Sequence, residues 1–223
     1  PYVPTIALNA PPTGGGTLFE EINLKTGEKT QTFIGDGTTL YQLAEIGLDA
    51  DLLVITVDGV VKVETVDFTV NRTLGQVTFT LGPVNLSSVS ITWFKVIAGN
   101  SDLVDNHKYA IVFGKNSNNI FIFGNPNEKN VFRFSGIDEA GYFPANSFNA
   151  VGSNEFGITD LVPQYQSLNV YKLDSAKLII PTVNPNFATN TGLNPYDYGY
   201  EGLNDSIGNS APNMVQLIKD SPV

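Results

Sequence analysis

The sequence predicts an all-β protein built from many short antiparallel strands, and three observations carry that prediction. Charged residues make up only 15% of the chain, against about a quarter in ordinary globular domains. Their place is taken by 21 Gly, 13 Pro and about one Asn in every ten residues, the residues that make turns. Short β-branched and aromatic runs alternate with period two, as half-buried strands do. Asp58-Gly59 also separates two apolar runs, a strong short-range hairpin signal.

Residues 1–26 read as an irregular connector. Pro11-Pro12-Thr13-Gly14-Gly15-Gly16 suits neither a helix nor a central strand. A Gly-rich loop can cradle phosphate, but this one lacks the Lys-Ser/Thr of a P-loop and the helix that follows it. Residues 27–97 read as a small β-sandwich module. Thr32-Phe33-Ile34 leads into the tight turn Gly35-Asp36-Gly37, and a strand is expected within Thr38 to Leu43. Leu52 to Val57 and Val60 to Val63 form the hairpin across Asp58-Gly59. Phe68-Thr69-Val70, Gln76 to Leu81 and Ser90 to Val96 supply further strands, the last placing Trp93 in the core. Strands recurring at this spacing with turns between them suggest a sandwich or a small barrel.

Residues 98–180 read as a β-meander. Its strands are Tyr109 to Phe113, Ile120 to Phe123 and Val131 to Ser135, with a later hairpin of Leu168 to Lys172 and Lys177 to Ile180. Between them, Tyr142-Phe143-Pro144 forms an aromatic turn. Pro144 biases Phe143 toward extended backbone, and the two rings can anchor a loop onto a sheet. Gly124, Gly136 and Gly152 fall at strand ends, where positive φ is often required. Residues 181–223 are a long Asn-, Pro- and Tyr-rich excursion with little periodicity, ending in a strand at Met214 to Ile218. The chain opens on Pro1 and stops at Val223 just after that strand, so it is read as a piece of a longer protein.

The net charge of −10 disfavours nucleic acid and anionic membranes as partners. With no Cys there is neither disulfide nor thiolate metal site. The single histidine, His107, has Asp105 beside it, an incomplete ligand set. A Ser-His-Asp triad would need this same residue, and no Gly-x-Ser-x-Gly elbow is present. Acids that a glycosidase would need are Glu20, Glu21, Asp138, Glu139 and Glu155, but adjacent residues on a strand point to opposite faces. Asp36, Asp49 and Asp51 are oxygen donors near turns without the spacing of a calcium loop. No catalytic residue, metal site or cofactor is assigned, and the chain is not expected to be an enzyme. Tyr196-Asp197-Tyr198-Gly199-Tyr200 would put Tyr196, Tyr198 and Tyr200 on one face of an extended segment. There they would meet a sugar or a neighbouring subunit, or anchor the long loop by packing within the chain. Asp58, Gly59, Trp93, Tyr142, Phe143 and Pro144 are structural turn and anchor residues.

Three stretches resemble a family of tailed-bacteriophage and prophage virion proteins. The first is Pro1 to Ile6 with Gly14-Gly15-Gly16-Thr17 and Glu21 to Leu24. The second is Phe123 to Asn127 with Phe134-Ser135-Gly136, Tyr142-Phe143-Pro144 and Val151-Gly152. The third is Ile158 to Leu161 with Leu168 to Lys172. The module around Gly35 to Thr39, Val57 to Val60 and Asp67 to Val70 looks like the small β modules of phage tail and adhesin proteins. The resemblance implies propeller-like or stacked antiparallel sheets, with the β-sandwich module inserted into or beside them. It implies a neck, tail-hub or tail-adaptor component in the virion, assembled in the bacterial cytoplasm. Its partners would be other virion proteins and copies of itself in a homo-oligomeric ring. The alternative is an adhesin-like module that binds a host-surface carbohydrate.

Overall fold

A computed structural model describes residues 18–19, 21–51, 53–114, 118–183, 196–206, 208–210 and 215. They form 18 strands in open antiparallel sheets and one four-residue helix, α1 (Asp102–Asp105). The chain divides into two compact units, with a boundary in sequence between Ala98 and Gly99.

The first unit contains β1 (Leu18–Phe19), β2 (Glu28–Ile34), β3 (Leu40–Gln42), β4 (Val54–Val57), β5 (Val60–Lys62), β6 (Phe68–Asn71), β7 (Gln76–Phe79) and β8 (Ser88–Phe94). One sheet has the order β1-β2-β8-β4-β5 and the other β3-β7-β6. Strict alternation in β2 and β8 turns every second side chain inward. Phe33, Ile55, Val89, Ile91 and Trp93 from the larger sheet meet Tyr41, Phe68, Val77 and Phe79 from the smaller one in a single core. Two antiparallel sheets over one core make a β-sandwich. Asp58 and Gly59 both have positive φ, 51° and 78°, the pair of values that a type I′ hairpin turn requires. The amide of Asp58 donates to Ser88 O, and its Oδ1 accepts from Ser88 N, which pins the hairpin to β8. The expectation that residues 1–26 are irregular needs correction at one place, because β1 pairs with β2 and extends the larger sheet.

The second unit begins with α1 and then β9 (Tyr109–Phe113), β10 (Asn119–Phe123), β11 (Val131–Phe134) and β12 (Phe148–Ala150). These four form a meander in the order β12-β11-β10-β9. Next come β13 (Ile158–Gln164), β14 (Ser167–Lys172), β15 (Ala176–Ile179), β16 (Thr182–Val183), β17 (Tyr196–Asp197) and β18 (Tyr200–Asn204). The order β13-β14-β15-β18 makes a second four-stranded sheet, and β16 pairs with β17. Phe113, Phe121, Phe123, Phe132 and Phe134 from the meander share a core with Ile158, Leu161, Leu168, Val170 and Ile179 from the second sheet. Among the described residues none of these sheets closes into a barrel.

One expectation is corrected here. Part of the 181–223 excursion is sheet, since β18 adds to the edge of β15 through backbone pairing. All five β18 residues are exposed, so the strand leaves no periodic apolar signal. The strand expected at Met214 to Ile218 lies outside the described residues except for Val215, whose amide donates to Asp160 Oδ2. Gly124 and Gly152 have positive φ (85° and 60°), as anticipated. Gly136 is glycine for another reason: a Cβ there would sit 2.7 Å from the Tyr142 ring.

Trp93 is fully buried. Its Nε1 donates to Gln31 Oε1 at 2.9 Å, and the same oxygen accepts from the Ala44 amide at 2.9 Å. The indole therefore packs the core and ties β8 to the segment after β3. Trp93→Ala should lower the stability of the first unit by about 3–5 kcal/mol, measured by urea unfolding. A loss below about 1 kcal/mol would contradict this placement of the indole.

Candidate functional site

The aromatic row at 196–200 does not form a flat platform. Tyr198 turns inward and is 1% exposed. Its ring meets Phe134 at 4.8 Å and Phe121 at 5.0 Å, both edge-on, the geometry that ring quadrupoles favour. Its hydroxyl donates to Asn119 Oδ1 at 3.2 Å, and its carbonyl accepts from Asn149 Nδ2 at 2.8 Å. Burial pushes the Tyr198 phenol up to about 12. Tyr196 packs half-buried against the same core. Tyr200 is 41% exposed, and its hydroxyl accepts from the Gly152 amide. The three rings thus fasten the returning chain to the second unit, and a row of three side by side for a sugar is not present. Strict alternation fails because β17 ends at Asp197 and β18 starts at Tyr200, leaving Tyr198 in the gap between them.

Below this strap, Lys172 is 1% exposed and donates through Nζ to Val151 O (2.9 Å) and Ser153 O (2.8 Å). Burial holds its pKa below the ordinary lysine value. The aromatic turn behaves as an anchor: Phe143 is buried, Tyr142 O accepts from Gly136 N, and Pro144 O accepts from Ser147 N.

Of the acids singled out by sequence, Asp36 and Asp49 bond backbone amides through their carboxylates. Asp36 Oδ1 accepts from the amide and hydroxyl of Thr38, and those bonds hold its carboxyl below the usual range. Asp49 Oδ2 accepts from Val96 N, and the Asp51 carbonyl accepts from Arg72. Asp138 has positive φ (57°) in the turn after β11, Glu139 follows it, and Glu155 lies exposed between β12 and β13. Glu20 lies outside the described residues. Among the described residues no three His, Asp or Glu gather where a metal could bind.

Sequence reasoning missed one surface. In the first unit a cleft of about 280 Å³ opens between the β4–β5 hairpin, the β5–β6 turn and the β7–β8 loop. Its walls are Val57, Val66, Phe79, Leu81, Pro83 and Val84, with Lys62, Asp67 and Thr80 as polar members. Around it, Leu81 is 84% and Leu86 80% exposed, and Val60, Val61, Val63, Val66 and Val84 are also mostly exposed. Two residues here hold left-handed backbone, Thr65 (φ 72°) and Leu86 (φ 68°). For branched side chains that costs on the order of 1–3 kcal/mol each. Local bonds fix both: Thr65 N donates to Phe68 O, Leu86 N to Gly35 O and Gly37 N to Pro83 O. Gly82 permits the close approach, since a Cβ would lie 2.2 Å from Gly37 O. The one available signal in the sequence was the turn itself, Leu81-Gly82-Pro83-Val84-Asn85-Leu86, where three large apolar residues occupy positions that turns usually give to polar ones.

With this geometry established, comparison with known proteins adds no assignment: no protein-family model matches the chain, and no curated protein matches it.

His107 supplies a test of the second unit. Its Nδ1 lies 3.3 Å from Val104 O, and its Nε2 is buried without a hydrogen-bond partner among the described residues. Desolvation is the main cause that lowers its pKa, with Arg133 adding to it against the pull of Glu128. The unfolded chain therefore takes up a proton near the ordinary histidine value, about 6.5, while the folded chain does not. Stability present above that value is lost as pH falls through it, and the loss levels off below the folded pKa. His107→Gln should flatten the fall in urea midpoint between about pH 7 and pH 5, followed by near-UV circular dichroism. Parallel profiles for the variant and the parent would refute the assignment.

Proposed function

We propose that the chain is a structural component of a tailed bacteriophage particle, in the neck, tail hub or tail adaptor, and that it works by protein–protein assembly. The observation that carries this reading is the exposed apolar rim around Leu81, Val84 and Leu86 beside the Val60–Val63 hairpin arm. Large apolar patches on a soluble surface mark contact sites, and this one is held in fixed backbone that costs energy to maintain. The motif resemblances at residues 1–24, 123–152 and 158–172 agree with it. In this reading the sandwich module projects its rim to a neighbour while the second unit supplies packed sheets. A ring of copies would follow if the contact is heterologous and its rotation closes. No catalytic step or cofactor belongs to this function.

Antibodies raised against residues 21–98 should decorate purified tailed particles from the natural host, seen by electron microscopy at the neck or tail. Particles left bare, with the antigen found only in the free protein fraction, would defeat the proposal.

A further inference from the structure

We infer that the cleft at the end of the first unit's sandwich receives an apolar peptide segment bearing a carboxylate, supplied by a partner protein. This deepens the assembly reading and rests on it. The cleft's walls are mostly apolar, and its three polar side chains, Lys62, Asp67 and Thr80, differ in state; the Thr80 hydroxyl donates to Val66 O at 2.9 Å. The Asp67 carboxylate accepts from the Val63 amide through Oδ2 at 2.8 Å, which fixes it against the β5–β6 turn. Lys62, half-buried on β5, has no carboxylate or carbonyl partner among the described residues. An unpaired ammonium beside apolar walls selects for an apolar group that carries negative charge, because pairing there costs little extra desolvation.

The adjoining backbone favours a peptide over a fatty acid. Among the described residues β5 is an edge strand whose one neighbour is β4. In a two-residue hairpin Val57 and Val60 form the hydrogen-bonded pair, so the Val61 amide and carbonyl face away from β4. The next outward groups, on Val63, are taken: its amide by Asp67 Oδ2 and its carbonyl by the amides of Val66 and Asp67. Among the described residues one rung, on Val61, is therefore left unpaired next to Lys62. That suits a short extended peptide and gives a hydrocarbon tail nothing to bond. The same capping by Asp67 keeps the edge from templating a longer, unspecific strand. Because the loops around the cleft are fixed by their own bonds, little ordering is needed on binding.

The test uses the whole chain, labelled with nitrogen-15, and two probes that differ only in charge: N-acetyl-Leu-Leu with a free carboxylate and the same dipeptide ending in an amide. The acid should shift the amide signals of Val61, Lys62, Val66, Leu81, Gly82 and Val84, and the neutral form should bind about two- to fivefold more weakly. Lys62→Gln should erase that difference while leaving the remaining spectrum in place. Octanoate, run as a third probe, should perturb these signals less than the acidic dipeptide. The inference is overturned by no shift at the cleft with either dipeptide, by equal affinities for the two, or by a stronger response to octanoate, which would indicate a lipid-derived acid. Such a failure leaves particle membership standing, because antibody decoration tests that separately. Bare particles with the cleft shifts intact would instead leave a peptide-binding module that works elsewhere.

Discussion

Every sheet described in this protein is open, and an open antiparallel sheet has one apolar face that must be covered and two edges that must be managed. The rest of the structure follows from that constraint. In each unit the solution is face-to-face packing of two sheets over aromatic side chains: Trp93, Tyr41, Phe68 and Phe79 in the first, and the phenylalanines around Tyr198 in the second. Rings suit this task because a few of them bury large areas and lock one another edge-on. Edges and rims cannot be buried the same way. The chain deals with them one at a time, through the Asp67 cap on β5, the β18 strand along β15 and the tyrosine strap.

That division explains which parts of the molecule were legible in the sequence. Where apolar side chains alternate between core and solvent, as in β7 and β8, the period-two pattern reads directly as strand. Asp58-Gly59 reads directly as a turn because few other residue pairs tolerate positive φ twice in a row. β18 was illegible because its exposed side chains carry no pattern and its place is set by backbone bonds to a strand some twenty residues earlier. The short β12 (Phe148–Ala150) was missed for a similar reason, having no buried side chain.

The site residues divide the same way. Trp93, Phe143, Asp58 and Gly59 take the structural roles their residue types suggested. Tyr198 does not take the exposed role that its spacing suggested, because alternation presumes a continuous strand and the chain breaks strand geometry at Tyr198-Gly199. The apolar rim was hidden because burial, not identity, makes a leucine informative. Leu81 and Leu86 look like core residues in the sequence and become notable only when found in solvent. A rim of that kind, held in strained backbone next to an edge strand, is the feature from which the assembly role is argued.

The central claim is that this rim is a contact surface inside a particle. Carbene footprinting of the free chain and of the chain within purified particles, read by mass spectrometry, tests it most directly. The account predicts that Leu81, Val84 and Leu86 are labelled in the free chain and protected in the particle, while the β18 side chains change less. Equal labelling of Leu81, Val84 and Leu86 in the two states would contradict it.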